Sequence, residues 1–305
     1  MAAIVRDYEG GKPVAREVWT RLEGERCVLG EGPTYDRHSD TVWWFDILEK
    51  ALFEHCFADG VTRRHILPEL SSALARVDDN RQLLVTESGL YLRNVADGSL
   101  SLHRPLEADN PQTRSNDSRV HPSGAFWIGT MGKNAEEGAG SIYWYRRGEV
   151  KRLYSGITVT NAICFSPDGS VGYFTDTPTL QIMQVSLDPQ TGLPVGEPSP
   201  FAAPSRDGEP DGAVVDAEGN LWVARWGGHG VEVYSPGGLL LRKIDLPAAL
   251  TTCPAFVGPQ ADGLLVTSAS IGVDPDSSDA ASAGGVFMSD LGAPAGKLEP
   301  DVLID

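Results

Sequence analysis

Residues 208–224 read Gly-Glu-Pro-Asp-Gly-Ala-Val-Val-Asp-Ala-Glu-Gly-Asn-Leu-Trp-Val-Ala, and this stretch decides the fold. Its second half is a hairpin signal: a short apolar run, a polar turn containing Gly219, and a second apolar run. Its first half sets one carboxylate, Asp211, between Pro210 and Gly212, just before the strand. Similar layouts begin their turns near residues 36, 78, 121, 166, 216 and 258. The spacing of about 40–50 residues is the period of a four-stranded propeller blade. Further short strands fit between the turns, among them Leu52-Phe53-Glu54-His55, Gly89-Leu90-Tyr91-Leu92 and Val231-Glu232-Val233-Tyr234. No helical period is evident. Proline-rich residues 188–204 read as an inter-strand loop, and residues 274–283 as a surface loop.

The fold expected is therefore all-β: a six-bladed β-propeller, four antiparallel strands per blade, around a central channel. Six blades consume nearly all of the 305 residues, so a single domain over 1–305 is expected. Composition agrees, with 34 Gly, 21 Pro and many aromatics. The net charge of −17 argues against nucleic acid and anionic membrane surfaces, which need a basic footprint. The four cysteines, Cys27, Cys56, Cys164 and Cys253, form no C-x-x-C pair and read as reduced core thiols. The first ten residues lack a signal-peptide core, and no window approaches a membrane span. A cytoplasmic protein is expected.

A blade cannot bury both faces of its sheet alone, so blades must stack in a ring. Equivalent positions then meet around one axis. Five residues before each turn stand Glu31, Ala73, Asn116, Asn161, Asp211 and Cys253. Asx residues favour strand entries for local reasons. Four oxygen donors at six equivalent positions are harder to explain that way. A polar cluster at the mouth of an otherwise apolar channel calls for a ligand, water or metal. Glu31, Asn161 and Asp211 form an all-oxygen set suited to one divalent cation. Calcium, magnesium and manganese fit best, and zinc and iron are not excluded. Arg114 lies two residues before Asn116, so both face one side of a strand. His121 opens a turn and is expected to face solvent. No Gly-x-Ser-x-Gly elbow and no phosphate loop occurs.

At these residues the chain resembles the gluconolactonase/regucalcin (senescence marker protein) family. The resemblance rests on Leu29-Gly30-Glu31-Gly32-Pro33, on Arg114-Ser115-Asn116-Asp117 continuing to Gly129-Thr130-Met131, on Thr160-Asn161, and on Pro210-Asp211-Gly212. It implies a six-bladed propeller with one metal at the channel mouth. Glu31, Asn161 and Asp211 would be the metal ligands, calcium being the first choice. Arg114, Asn116 and, by position, Asn134 would contact a sugar lactone. The family's usual Gly after the metal-binding Asn is Ala162 here, and its frequent acid near Asn134 is an amide.

The leading expectation is a metal-dependent lactonase acting on an aldono- or aldarolactone. The metal would polarise the carbonyl, and Asp211 would activate water. A carboxylate bound to a dication is a poorer base, so whether Asp211 takes the proton or only orients the nucleophile stays open. A neutral Asn134 would favour a second substrate carboxylate, unless Glu136 or Glu137 folds back to restore the charge. The competing readings are a non-catalytic calcium-binding propeller and an esterase or lactonase of the paraoxonase or strictosidine-synthase type. The small-molecule sugar lactone is the one partner expected, for a monomer or weak homo-oligomer.

Overall fold

A computed structural model describes residues 18–291 and 296–305. It contains six four-stranded antiparallel sheets, each wound from the inside outwards, in a ring. The innermost strands are Gly30–Asp36, Ser71–Arg76, Thr113–Val120, Thr160–Phe165, Glu209–Val215 and Thr251–Val257. Each touches the next, and the sixth touches the first. The last blade is completed from the other end of the chain: Thr20–Arg21 pairs with Phe287–Asp290 as its outermost strand. This joint closes the ring and leaves no sheet edge inside it. The 3-10 turn Thr177–Thr179 is the one helical element among the described residues.

Burial follows the radial position of each strand. Thr41–Asp46 is buried at every residue, because blades cover both of its faces. Val61–Ile66, the outermost strand of the same blade, is largely exposed. Six apolar clusters fill the ring, one between each pair of adjacent blades. The hairpin over 208–224 forms as read: Val215 pairs with Leu221. Asp216 holds its turn by accepting the Glu218 and Asn220 amides at 3.0 and 2.8 Å and the Trp222 indole at 2.9 Å. Residues 188–204 are not all loop: Ser199–Pro200 is the fourth strand of its blade. All four cysteines are free, and Cys56 alone is partly exposed.

The C-terminal residues cross the end of the ring where the innermost strands finish. Val302 N–H donates to Arg76 C=O, Leu303 N–H to Gly124 C=O, and Lys297 Nζ to Pro167 C=O. Val302 and Ile304 join the core between the second and third blades. The C-terminal segment thus straps that mouth of the channel, and the ring of candidate residues lies towards the opposite end, where the innermost strands begin.

Candidate active site

Every innermost strand carries a β-bulge in its first half. In the first blade Glu31 faces Phe45 and Thr34 faces Trp43, so three steps oppose two. The same irregularity lies at Ser71/Ala73, Ser115/Ser118, Asn161/Cys164, Pro210/Ala213 and Thr251/Pro254. A bulge bends its strand and re-aims a side chain. Glu31, Asn116, Asn161 and Asp211 all stand at or beside one, and all are buried. Two bulges need a left-handed residue: Gly32 at φ 57° and Ala162 at φ 54°.

The amides are tied into one network. Arg114 Nη1 donates to Asn116 Oδ1 at 2.7 Å and to Ser115 C=O at 2.8 Å. Asn116 Nδ2 donates to Asn161 Oδ1 at 3.0 Å and to Thr160 C=O at 2.8 Å. Asn161 Nδ2 donates to Thr177 Oγ1 at 3.0 Å, and that hydroxyl donates to Pro210 C=O at 2.9 Å. Arg114 and Asn116 therefore share a face, as their spacing required. Both amide hydrogens of Asn116 are engaged, which leaves it only an Oδ1 lone pair for a substrate hydroxyl.

The carboxylates carry the electrostatic strain. Burial, and then the charge of Asp117, push Glu31 up to about 8. Burial, and then Glu31 and Asp117, push Asp211 well above the usual carboxylate range. Glu31 Oε2 accepts the Gly32 amide at 3.3 Å. Burial also brings Arg114 down to about 10, against the pull of Glu31 and Asp211. Two carboxylates thus sit in a low-dielectric cup beside one guanidinium and an Asn carbonyl oxygen. Among the described residues no group of three His, Cys, Asp or Glu side chains could hold a metal. A cation here would take two carboxylates and neutral oxygens. That donor set fits a hard divalent ion, whose charge would relieve the raised carboxylates.

Several residues were not legible from the spacing. Asp117, seen in the sequence only as a member of the Arg114–Asp117 cluster, is buried and accepts the Ile163 amide at 2.7 Å, and burial pushes it up to about 6. Arg119 reaches from the third blade across the channel to Ala213 C=O at 3.2 Å and Cys253 Sγ at 3.3 Å, and pairs with Glu299 of the C-terminal strap. The channel is thus charged below the site rather than apolar, and Arg119 bars it. At the blades whose equivalent positions are Ala73 and Cys253, hydroxyls one residue earlier stitch the ring. Ser72 Oγ donates to Asn116 C=O at 2.7 Å, and Thr252 Oγ1 to Gly30 C=O at 2.5 Å.

One expectation changes. His121 is fully buried, not solvent-facing. Its Nε2 donates to Gly169 C=O at 2.9 Å and its Nδ1 accepts the Ser123 amide at 3.0 Å, so it locks a turn on the strapped face. Asn134 is exposed, on the loop after Phe126–Gly132, at the open mouth. Glu136 does fold back: its Oε1 accepts Asn134 Nδ2 at 2.9 Å and its Oε2 the Asn134 amide at 3.1 Å. The acid missing from position 134 therefore stands two residues on.

The family model described as "SMP-30/Gluconolactonase/LRE-like region" matches residues 29–270. A protein of Rhizobium meliloti (strain 1021), provisionally named a sugar lactone lactonase, is 49% identical over 81% of this chain and 84% of its own length. The L-arabinolactonase of Azospirillum brasilense is 36% identical, over 88% of this chain and 91% of its own. A crystal structure described as that of a calcium-binding protein, regucalcin, from Agrobacterium tumefaciens superposes with a TM-score of 0.91 at 46% identity, covering 96% of this chain and 100% of that one. With its ring of six blades and its acidic cup at the bulges, this chain belongs to the SMP-30/gluconolactonase/LRE-like family.

Proposed function

We propose that this chain is a hydrolase that opens a sugar-acid lactone to the free acid, in a reaction dependent on one divalent cation. The observation that carries the reading is the buried pair of interacting carboxylates Glu31 and Asp211, with Arg114 as the neighbouring cation and Asn161 tied through Thr177 to the Pro210 carbonyl that precedes Asp211. Relatives named lactonases at 49% and 36% identity support the same chemistry. Glu31, Asn161 and Asp211 would hold the cation. Calcium is the first choice, in keeping with the calcium-binding neighbour at 46% identity; zinc, manganese, magnesium or iron are the alternatives. When bound, the cation supplies Lewis-acid polarisation of the lactone carbonyl.

The chain's own groups do the rest. The Asp211 carboxylate serves as proton acceptor for the attacking water; burial strengthens it as a base, and a bound cation would offset part of that gain. Arg114 holds ring and hydroxyl oxygens with the N–H groups left free by its bonds to Ser115 and Asn116. Asn116 orients a hydroxyl through its remaining lone pair. Asn134, with Glu136 behind it, forms the rim. The Glu136 charge favours a neutral aldonolactone over an aldarolactone with its second carboxylate. Among the described residues no helix is long and apolar enough to cross a membrane. The setting proposed is cytoplasmic, for a monomer or weak homo-oligomer.

The test is a panel of aldono- and aldarolactones assayed with and without chelator. Expected is turnover that EDTA abolishes and added Ca²⁺ or Zn²⁺ restores, with aldonolactones preferred. A second reading, a calcium-binding propeller without catalysis, is favoured by the printed description of the Agrobacterium neighbour. Metal-loaded protein that binds Ca²⁺ but hydrolyses no lactone would establish that reading and overturn the first.

A further inference from the structure

The hydrogen bonds that run through Asn161 have a direction, and the two ends of the chain set it. Arg114 can only donate, and the Pro210 carbonyl can only accept. Between them the order is Arg114 Nη1 to Asn116 Oδ1, Asn116 Nδ2 to Asn161 Oδ1, Asn161 Nδ2 to Thr177 Oγ1, and Thr177 hydroxyl to Pro210 C=O. Every member is buried, so no water can substitute for a missing partner at low cost. Reversing either amide would set donor against donor at one end and acceptor against acceptor at the other. The Thr177 hydroxyl has one hydrogen. Because it spends that hydrogen on Pro210 C=O, its oxygen must accept from Asn161, which forces Nδ2 to that side and Oδ1 to the other. Thr177 is itself pinned at the start of the turn Thr177–Thr179, with its amide donating to Val159 C=O at 3.0 Å.

We propose that Thr177 is a positioning residue of this site: its hydroxyl fixes the Asn161 amide so that a carbonyl oxygen, not an NH₂ group, is presented for a cation, and it anchors the Pro210 carbonyl immediately before Asp211. The inference rests on the divalent-cation reading above. An outer partner that orients a ligand typically changes metal affinity about 10–100-fold when removed. Val has nearly the shape of Thr and no hydroxyl. In Thr177→Val the Asn161 amide loses the acceptor on its Nδ2 side and is held from the Asn116 side alone, so a turned amide costs one opposed pair instead of two. Ser keeps the hydroxyl. A carboxylate at position 161 offers oxygen whichever way it turns, so in an Asn161→Asp background the hydroxyl has nothing left to orient.

Calcium is titrated calorimetrically into chelator-treated wild type, Thr177→Val, Thr177→Ser, Asn161→Asp and the double variant Asn161→Asp/Thr177→Val. Circular dichroism checks each fold. Expected is a Kd for Ca²⁺ raised about 10–100-fold in Thr177→Val, near wild type in Thr177→Ser, and unchanged by Thr177→Val once Asp stands at 161. If Thr177→Val does not fold, Thr177→Ala carries the same comparison. Wild-type affinity in the folded hydroxyl-free variant overturns the inference and leaves the function standing. So does an equal loss with Asn or Asp at 161, which would mark Thr177 as merely structural. Wild type that binds neither Ca²⁺ nor Zn²⁺ overturns both the inference and the function it rests on.

Discussion

Gly32 and Ala162 occupy the same kind of bulge with the same left-handed backbone, at φ 57° and 54°. Sequence showed the Ala as a departure from the family's Gly, but not whether it fits. Around Gly32 a Cβ would stand 2.1 Å from the Ser72 carbonyl oxygen, so only Gly is possible there. Ala162 is fully buried in the core between the fourth and fifth blades. It bears a left-handed penalty of about 1–2 kcal/mol, offset by about 0.8 kcal/mol for its buried methyl. Ala162→Gly is therefore expected to unfold within about 1 kcal/mol of wild type. Gly32→Ala is expected to be strongly destabilised and to disturb the adjacent Glu31 carboxylate. Urea unfolding and Ca²⁺ affinity of the two variants check this. Equal effects from both would show that backbone angle, not the approach of Ser72, governs these positions.

The elements were legible where side chains repeat and illegible where backbones bend. Turn signals such as residues 166–169 and 216–219 recur because each hairpin needs Asp or Gly at a fixed place, and so the blade count followed from spacing. Counting back from the turns reached Glu31, Asn116, Asn161 and Asp211. It missed that each inner strand gains one residue at a bulge, because a bulge leaves no composition of its own. It also missed Arg119, whose partner Glu299 lies 180 residues away. At the Ala73 and Cys253 blades it overlooked Ser72 and Thr252, because their hydroxyls serve the neighbouring blade's backbone. Thr252 bonds the Gly30 carbonyl, one residue before Glu31, and shares a hydrogen bond with Thr267 at 2.8 Å. Thr252→Val removes that stitch between the sixth and first blades. Expected is a loss of about 1 kcal/mol in unfolding free energy, read from urea denaturation. No loss would mean that the ring closes on apolar packing alone.

For the whole molecule, stability and site have separate sources. Six inter-blade cores, the closing strand Thr20–Arg21 and the C-terminal strap hold the ring, and none of them contains Glu31, Asn161 or Asp211. The acidic cup opposes folding. Glu31 and Asp211 ionise less readily folded than unfolded, so the native state binds more protons, and stability falls as pH rises above the usual carboxylate value of about 4. By neutral pH the metal-free protein has lost much of this stability, and the loss is complete only above the raised Glu31 value of about 8. A cation that binds only the folded state adds about 2.7 kcal/mol at 100 times its Kd. With an unfolding entropy of roughly 2.1 cal/mol/K per residue over 305 residues, that amounts to about 4 °C in Tm. Chelated wild type should then melt lower than the Ca²⁺-loaded protein while keeping its β-type circular dichroism at 25 °C. Asp211→Asn should do the opposite in the two conditions: melt above chelated wild type, because the cost of burying an ionisable carboxyl is gone, and gain little from Ca²⁺, because a ligand is gone. A chelated wild type without β signal would make the cation structural. An Asp211→Asn variant that melts below chelated wild type would show that Asp211 stabilises the fold, and the division between ring and site would fail.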